Sequence, residues 1–257
     1  MSEYVLDHHQ EGERQRLALM SRLLDPMHRR HIEQLGIEPG QLTLEVGCGN
    51  GSMSAWLAGQ IEPDGRAVAV DLDLSLADAD VPGIEFRQAD ILSGPVAPGG
   101  FDLVTARAVL HHVRDPEAAV VNLIASARPG GTILVIEPDF LPATVAEPPE
   151  VREFWTGWLA WSRMQHIDYF IGRRLPEILS GQGLEDLGAT AESALYHGGS
   201  LWAEYWRQTV AELRTRLEDS GLLAARSIDR FLARCADPAW WTQTIAFTAV
   251  HGRKPSI

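Results

Sequence analysis

Apolar residues recur about one helical turn apart over residues 10–35, at Leu17, Met20, Leu23 and Leu24, and predict a helix there. The turn residues of GIEPG (36–40) end it. From residue 42 the pattern becomes short apolar runs separated by helical segments. Strands are predicted at 42–46, 67–70, 84–87, 101–105 and 132–137, and helices at 52–61 and 117–127, with turns at EPDG (62–65) and RPGG (128–131). Short apolar strands alternating with helices imply a parallel sheet covered on both faces. Past about residue 140 the pattern is mostly helical, at 150–168, 174–181, 201–219 and 227–235, before a closing apolar strand at 245–250. The chain therefore divides into an N-terminal helical lid (1–40), an α/β core (41–140) and a helical cap with closing strands (141–257). The diproline at 148–149 is the clearest break.

Composition narrows the partners. The chain has 257 residues, 45% hydrophobic and 22% charged, enough for one large α/β domain with an added subdomain. No apolar run reaches the roughly 18–20 residues of a membrane span. The polar N-terminus MSEYVLDHHQEGERQRL lacks the apolar stretch of a signal peptide. No membrane partner and a cytoplasmic location are expected. A net charge of −13 repels phosphates, so no nucleic acid is expected. Cys48 and Cys235 are read as free thiols, too few for a structural zinc site, and no metal is expected. A small molecule is the expected partner of a monomer or homodimer.

The stretch TLEVGCGNGS (43–52) sets a β-friendly run against glycines at 47, 49 and 51. Glycine tolerates φ > 0 and lets a ligand approach the backbone closely. Strand, glycine-rich turn and helix is the layout of a nucleotide-binding crossover. The dinucleotide spacing is G-x-G-x-x-G, whereas this chain has E-x-G-x-G-x-G from Glu45 to Gly51. A carboxylate two residues before the first glycine disfavours pyrophosphate and suits a ligand carrying an ammonium group and a positive sulfur. The spacing argues against a nicotinamide-dependent oxidoreductase.

LEVGCGNG resembles motif I of class I S-adenosylmethionine-dependent methyltransferases. The later landmarks QADIL (88–92), FDLVTARAVLHHVRDP (101–116) and ARPGGTILVIEPD (127–139) follow in that family's order, so the resemblance covers roughly residues 40–140. It implies a Rossmann-like fold with a mostly parallel seven-stranded sheet, helices on both faces, a helical lid and a helical cap in the C-terminal half. It implies that S-adenosylmethionine is the cofactor, with S-adenosylhomocysteine as product. Asp71 is then expected at the ribose hydroxyls and Asp90 at the adenine amino group, with the Ile91 backbone N–H on the ring. Gly47, Cys48, Gly49 and Gly51 would lie along the methionine portion with Glu45, and Leu72, Ala106 and Arg107 would border the cofactor. The N-terminal segment is similar to that of a small-molecule, UbiE-like subgroup in which a Tyr and an E-x-x-R-L element close over the cofactor. Tyr4, Glu13, Arg16 and Leu17 match it, whereas Met20 stands where some relatives carry Gln. DYFIGRRL (168–175) also resembles an element of that subgroup.

Methyl transfer from a sulfonium needs alignment and exclusion of water, and an oxygen nucleophile usually needs a base. His111 and His112, after the fourth strand, have a suitable side chain for that role and are the catalytic candidates. His166 and His197 lie in or near the cap. Substrate contacts are expected from His8, Trp155, Trp158, His166, Trp202 and Trp206. Trp202, Tyr205 and Trp206 share one helical face, and seven of the eight tryptophans lie beyond residue 140. They suit either core packing or an apolar, aromatic or cationic acceptor. TARAV lacks the N/D-P-P-Y/F signature of amino-group DNA methylation. O-, N- and C-methylation stay open, as does a protein of this fold that binds S-adenosylmethionine without transferring methyl.

Overall fold

A computed structural model describes residues 12–78 and 81–256. α1 (Glu13–Leu35) comes first and ends at Gly36, whose left-handed φ of 81° lets its N–H return to the Glu33 carbonyl. The core then alternates β1 (Leu42–Val46), α2 (Ser52–Ile61), β2 (Arg66–Asp71), β3 (Ile84–Gln88), β4 (Phe101–Arg107), α3 (Pro116–Ser126) and β5 (Ala127–Asp139). The Asp115 side chain caps α3 by accepting from the Ala118 N–H, with Pro116 in the first turn. The C-terminal half contributes α4 (Pro149–Met164), α5 (Leu175–Ser180), β6 (Glu185–His197), α6 (Leu201–Asp219), α7 (Ala225–Ala236) and β7 (Trp241–Arg253).

The seven strands lie in the order β3-β2-β1-β4-β5-β7-β6. β3, β2, β1, β4 and β5 run parallel, whereas β7 pairs antiparallel with both β5 and β6. The central strands are mostly apolar because helices cover both faces, with Thr43, Glu45, Thr105 and Glu137 as buried polar exceptions. One face packs Leu24, Met53, Leu134, Trp155, Trp206 and Phe231 into a core shared by α1, α2, α4, α6 and α7. The other packs Val104, Leu110, Val120, Leu123, Ile171 and Leu179. Helices α4, α6 and α7 thus share one core with the sheet and with α1, whereas α5 packs on the opposite face. The chain order reverses between β1 and β4, which opens a crevice beyond the carboxyl ends of these strands.

Several boundaries differ from the sequence expectation, β7 among them, which extends to Trp241–Arg253. α4 stops at Met164, because Gln165 closes the helix with N–H bonds back to its last turn and His166 takes a φ of 60°. β5 begins at Ala127, so the RPGG turn lies within a strand that is irregular opposite Phe101–Leu103. β6 carries no apolar run: its residues are mostly exposed, since it is an edge strand on the outer side of β7.

Candidate active site

Gly47, Gly49 and Gly51 all adopt positive φ, 75°, 54° and 79°. At Gly47 the requirement is double, because a Cβ would stand 2.2 Å from Val109 Cγ2. The loop turns back over β2, with the Gly47 and Cys48 N–H groups donating to the Val70 carbonyl. Asp71, at the end of β2, accepts from the Gly49 N–H at 2.8 Å through Oδ2 and from the Leu72 N–H at 2.7 Å through Oδ1. A carboxylate has about four lone-pair sites, so Asp71 keeps acceptor capacity for a ligand. Asp90 follows β3 and caps a short turn by accepting from the Leu92 N–H at 2.8 Å. Leu72 is exposed beside Asp71, whereas the Ile91 side chain is buried.

Glu45 is buried at the opposite end of the loop and accepts from the Ser54 hydroxyl. Burial pushes its carboxyl up to about 7, against the Ser54 hydrogen bond and the nearby Arg107 charge. Arg107 ends β4 and pairs with Asp25 of α1 at 2.8 Å. His28, one turn further along α1, meets Thr105 of β4 at 2.7 Å. Burial holds its imidazole well below the ordinary range, so it is neutral. α1 is therefore tied by its polar face to the site end of the sheet. At its start Arg16 makes two 2.7 Å bonds to Glu13 and reaches the Tyr205 hydroxyl of α6 at 3.1 Å.

Past β4 the chain turns sharply at Ala108, a non-glycine residue with φ 55°. That turn delivers the N–H groups of Val109, Leu110 and His111 to the Glu137 carboxylate of β5, at 2.8, 2.6 and 3.2 Å. His111 Nδ1 lies 2.8 Å from Glu137 Oε2. Burial pushes Glu137 up to about 8, against the three backbone donors, and pushes His111 down to about 3. The imidazole is neutral, and its Nδ1 faces the Glu137 carboxyl. Its ring lies between His112, at 3.9 Å, and Tyr169, at 5.4 Å between centroids. His112 is also kept neutral by burial and by His111 and Arg16.

The structure corrects several expected contacts. Trp155, Trp158 and Trp206 line no open wall: all three are buried, packed edge to face on one another with Phe140 beside them. Trp202 is half-buried against Phe247 and Tyr205. The Ala106 side chain is sealed inside the sheet, its strand neighbours being Val46 and Val135, so it offers a ligand no surface. The Cys48 thiol is buried, which raises its pKa and keeps it protonated, so only its backbone is open to the cofactor role expected of it. His166 borders a surface groove of about 580 Å³ with Arg163, Asp168 and Arg174, the Asp168 N–H bonding the His111 carbonyl at 2.9 Å. His197 sits on the Trp241 ring. Tyr4, His8 and His9 lie outside the described residues. Sequence reasoning missed Glu137 and Asp25. Glu137 bore the same signal as Asp71, an acid at the carboxyl end of an apolar strand run. Asp25 bore none, because its partner is 82 residues away.

Among the described residues no helix is long and apolar enough to cross a membrane, and no cluster of metal-binding side chains occurs. A family model described as a methyltransferase domain matches residues 13–188. An uncharacterized methyltransferase of Mycobacterium tuberculosis is 34% identical over 128 residues, 47% of this chain and 59% of that protein. The ubiquinone/menaquinone biosynthesis C-methyltransferase UbiE of Ectopseudomonas mendocina is 32% identical over 115 residues, 41% of this chain and 45% of that protein. The chain spans about half the length of the curated relatives it matches. The crystal structure of YcgJ from Bacillus subtilis superposes with a TM-score of 0.60 at 17% identity, covering 88% of this chain and 96% of that one.

Proposed function

The chain belongs to the methyltransferase-domain family, and from that premise we propose that it transfers a methyl group from S-adenosylmethionine to a small-molecule acceptor. The observation that carries the reading is the glycine loop. Three consecutive alternate residues at positive φ bring bare backbone to the β1–β4 crevice, between the ribose-reading Asp71 and the buried Glu45. At Gly47 the missing side chain is required by Val109, whereas a Cβ at Gly49 would meet nothing nearer than Leu17 Cδ2 at 4.0 Å, so beside Gly49 there is room for a ligand laid against the main chain. When bound, the cofactor supplies a methyl carbon on a positively charged sulfur. Asp71 and Asp90 would hold its ribose and adenine, with the exposed Leu72 against the base. Glu45 would face its ammonium group.

The His111–Glu137 pair supports transfer to oxygen. The neutral Nε2 takes the proton of an acceptor hydroxyl as the oxygen becomes nucleophilic. In this reading Nδ1–H donates to Glu137 once that acid is ionised, as pH rises through about 8, and the carboxylate then fixes the tautomer and balances the imidazolium. His112 and Tyr169 hold the ring plane. Arg16, hydrogen-bonded to the Tyr205 hydroxyl, lies close enough for its charge to reach both histidines. Tyr169, partly buried beside His111, favours an apolar or aromatic acceptor, of the kind found among secondary metabolites, over a charged polymer. The setting is cytoplasmic.

Calorimetric titration of the purified chain with S-adenosylhomocysteine and with NAD tests the reading. Binding of S-adenosylhomocysteine alone is expected. Binding of NAD alone would remove it. A panel of phenolic, amine and activated-carbon acceptors with labelled methyl donor then separates transfer from binding without turnover.

A further inference from the structure

The carboxyl ends of the parallel strands present Asp90, Asp71, Glu45 with Gly47, Arg107 and Glu137 in sheet order, from β3 through β2, β1 and β4 to β5. The acids of β3 and β2 stand at the nucleoside end of a ligand laid across this edge, and the His111–Glu137 pair at the acceptor end. Arg107 falls between them. Ala106 is in register with Val46, so Arg107 and Gly47 are the next residues on adjacent strands. The Arg107 side chain is only 9% exposed, and its Nη2 donates to Asp25 Oδ1 at 2.8 Å. Its Nη1 is buried and has no hydrogen-bond partner.

A buried guanidinium with one arm unsatisfied is costly, and its planar fork matches a carboxylate. The cofactor proposed above carries one carboxylate, on its amino-acid end. We propose that Arg107 binds that α-carboxylate through Nη1, with Asp25 on the lid helix as the positioning residue that holds the fork in place. The assignment rests on S-adenosylmethionine being the donor. It makes the chain selective for donors and products that keep an intact amino acid, and it couples α1 to the cofactor through one ion pair. Glu45, close enough to feel the Arg107 charge, supplies the complementary acid for the ammonium group, so the two ends of the zwitterion meet opposite charges.

Titration calorimetry with S-adenosylhomocysteine and with its decarboxylated analogue, which keeps the amine, tests this. The wild-type chain is expected to bind S-adenosylhomocysteine roughly 10- to 100-fold more tightly, the range of a charge-assisted hydrogen bond. Arg107→Met is expected to erase the difference by weakening S-adenosylhomocysteine alone. Asp25→Asn is expected to narrow it. The double variant Asp25→Asn/Arg107→Met leaves no uncompensated buried charge from the pair and gives the same comparison if the single variant fails to fold. Equal wild-type affinity for the two ligands overturns the Arg107 assignment alone, as does an equal loss of both in the variants. Failure of the wild-type chain to bind either overturns the donor reading and this assignment with it.

Discussion

His111 Nδ1 and Glu137 Oε2 stand 2.8 Å apart, although 26 residues separate them in the chain. The contact joins the turn after β4 to the end of β5, which are neighbours in the sheet. Glu137 is held by three further backbone donors, so its carboxyl group is fixed independently of the imidazole. Glu137→Gln and His111→Ala should each lower the rate of methyl transfer to a hydroxyl acceptor by roughly 10²- to 10⁴-fold, the usual contribution of a positioned base. Affinity for S-adenosylhomocysteine should stay as in the wild type. Full turnover in both variants would show that the acceptor needs no base from this pair.

Asp71 has one role inside the protein and one expected towards the ligand. Asp71→Ala should weaken S-adenosylhomocysteine by roughly 1–3 kcal/mol, the cost of losing charge-assisted hydrogen bonds. A folded variant with wild-type affinity would remove Asp71 from the ribose site.

Gly47→Ala combines a left-handed backbone with a 2.2 Å approach to Val109. It should lower stability by roughly 1–3 kcal/mol. Adding Val109→Ala relieves the steric part but not the backbone part, so thermal melts should show partial recovery.

Buried acids set the pH dependence of stability near neutrality. Glu45 and Glu137 are raised from 4.5 in the unfolded chain to about 7 and about 8. Their protonated forms stabilise the fold fully below about 4.5, and this contribution is lost as pH rises through 7 and 8. The neutral buried His28, His111 and His112 act in the opposite sense, but only as pH falls below the ordinary histidine value of 6.5. Between pH 6.5 and 8.5 the acids therefore dominate, and the melting temperature should fall. Glu45→Gln should flatten that fall, and an unchanged slope would place the titration elsewhere.

Trp155 is fully buried among Phe140, Phe154, Trp158, Trp206 and Phe231. Trp155→Ala should cost about 3–5 kcal/mol of stability, the range for emptying a large core site. Trp202→Ala, at a half-buried position, should cost less. Denaturant titrations of the two variants make the comparison.

What the sequence determined by itself was local. Apolar runs and turn residues located β1, α2 and α6 to the residue, because the hydrophobic period and the turn residues that bound each one lie in its own contiguous segment. The glycines declared their positive φ for the same reason: the need lies in their own backbone. Strand β6 stayed hidden because an exposed edge strand buries little and so needs no apolar run. Only the tertiary structure decided what the polar residues do. Asp25 meets Arg107, His111 meets Glu137 and Arg16 meets Tyr205 through contacts that span 82, 26 and 189 residues. Hydrogen bonds act over about 3 Å of space irrespective of chain separation, so pattern and spacing carry no trace of them. Burial likewise sent most of the tryptophans to the core, since an indole satisfies packing and ligand contact with the same surface.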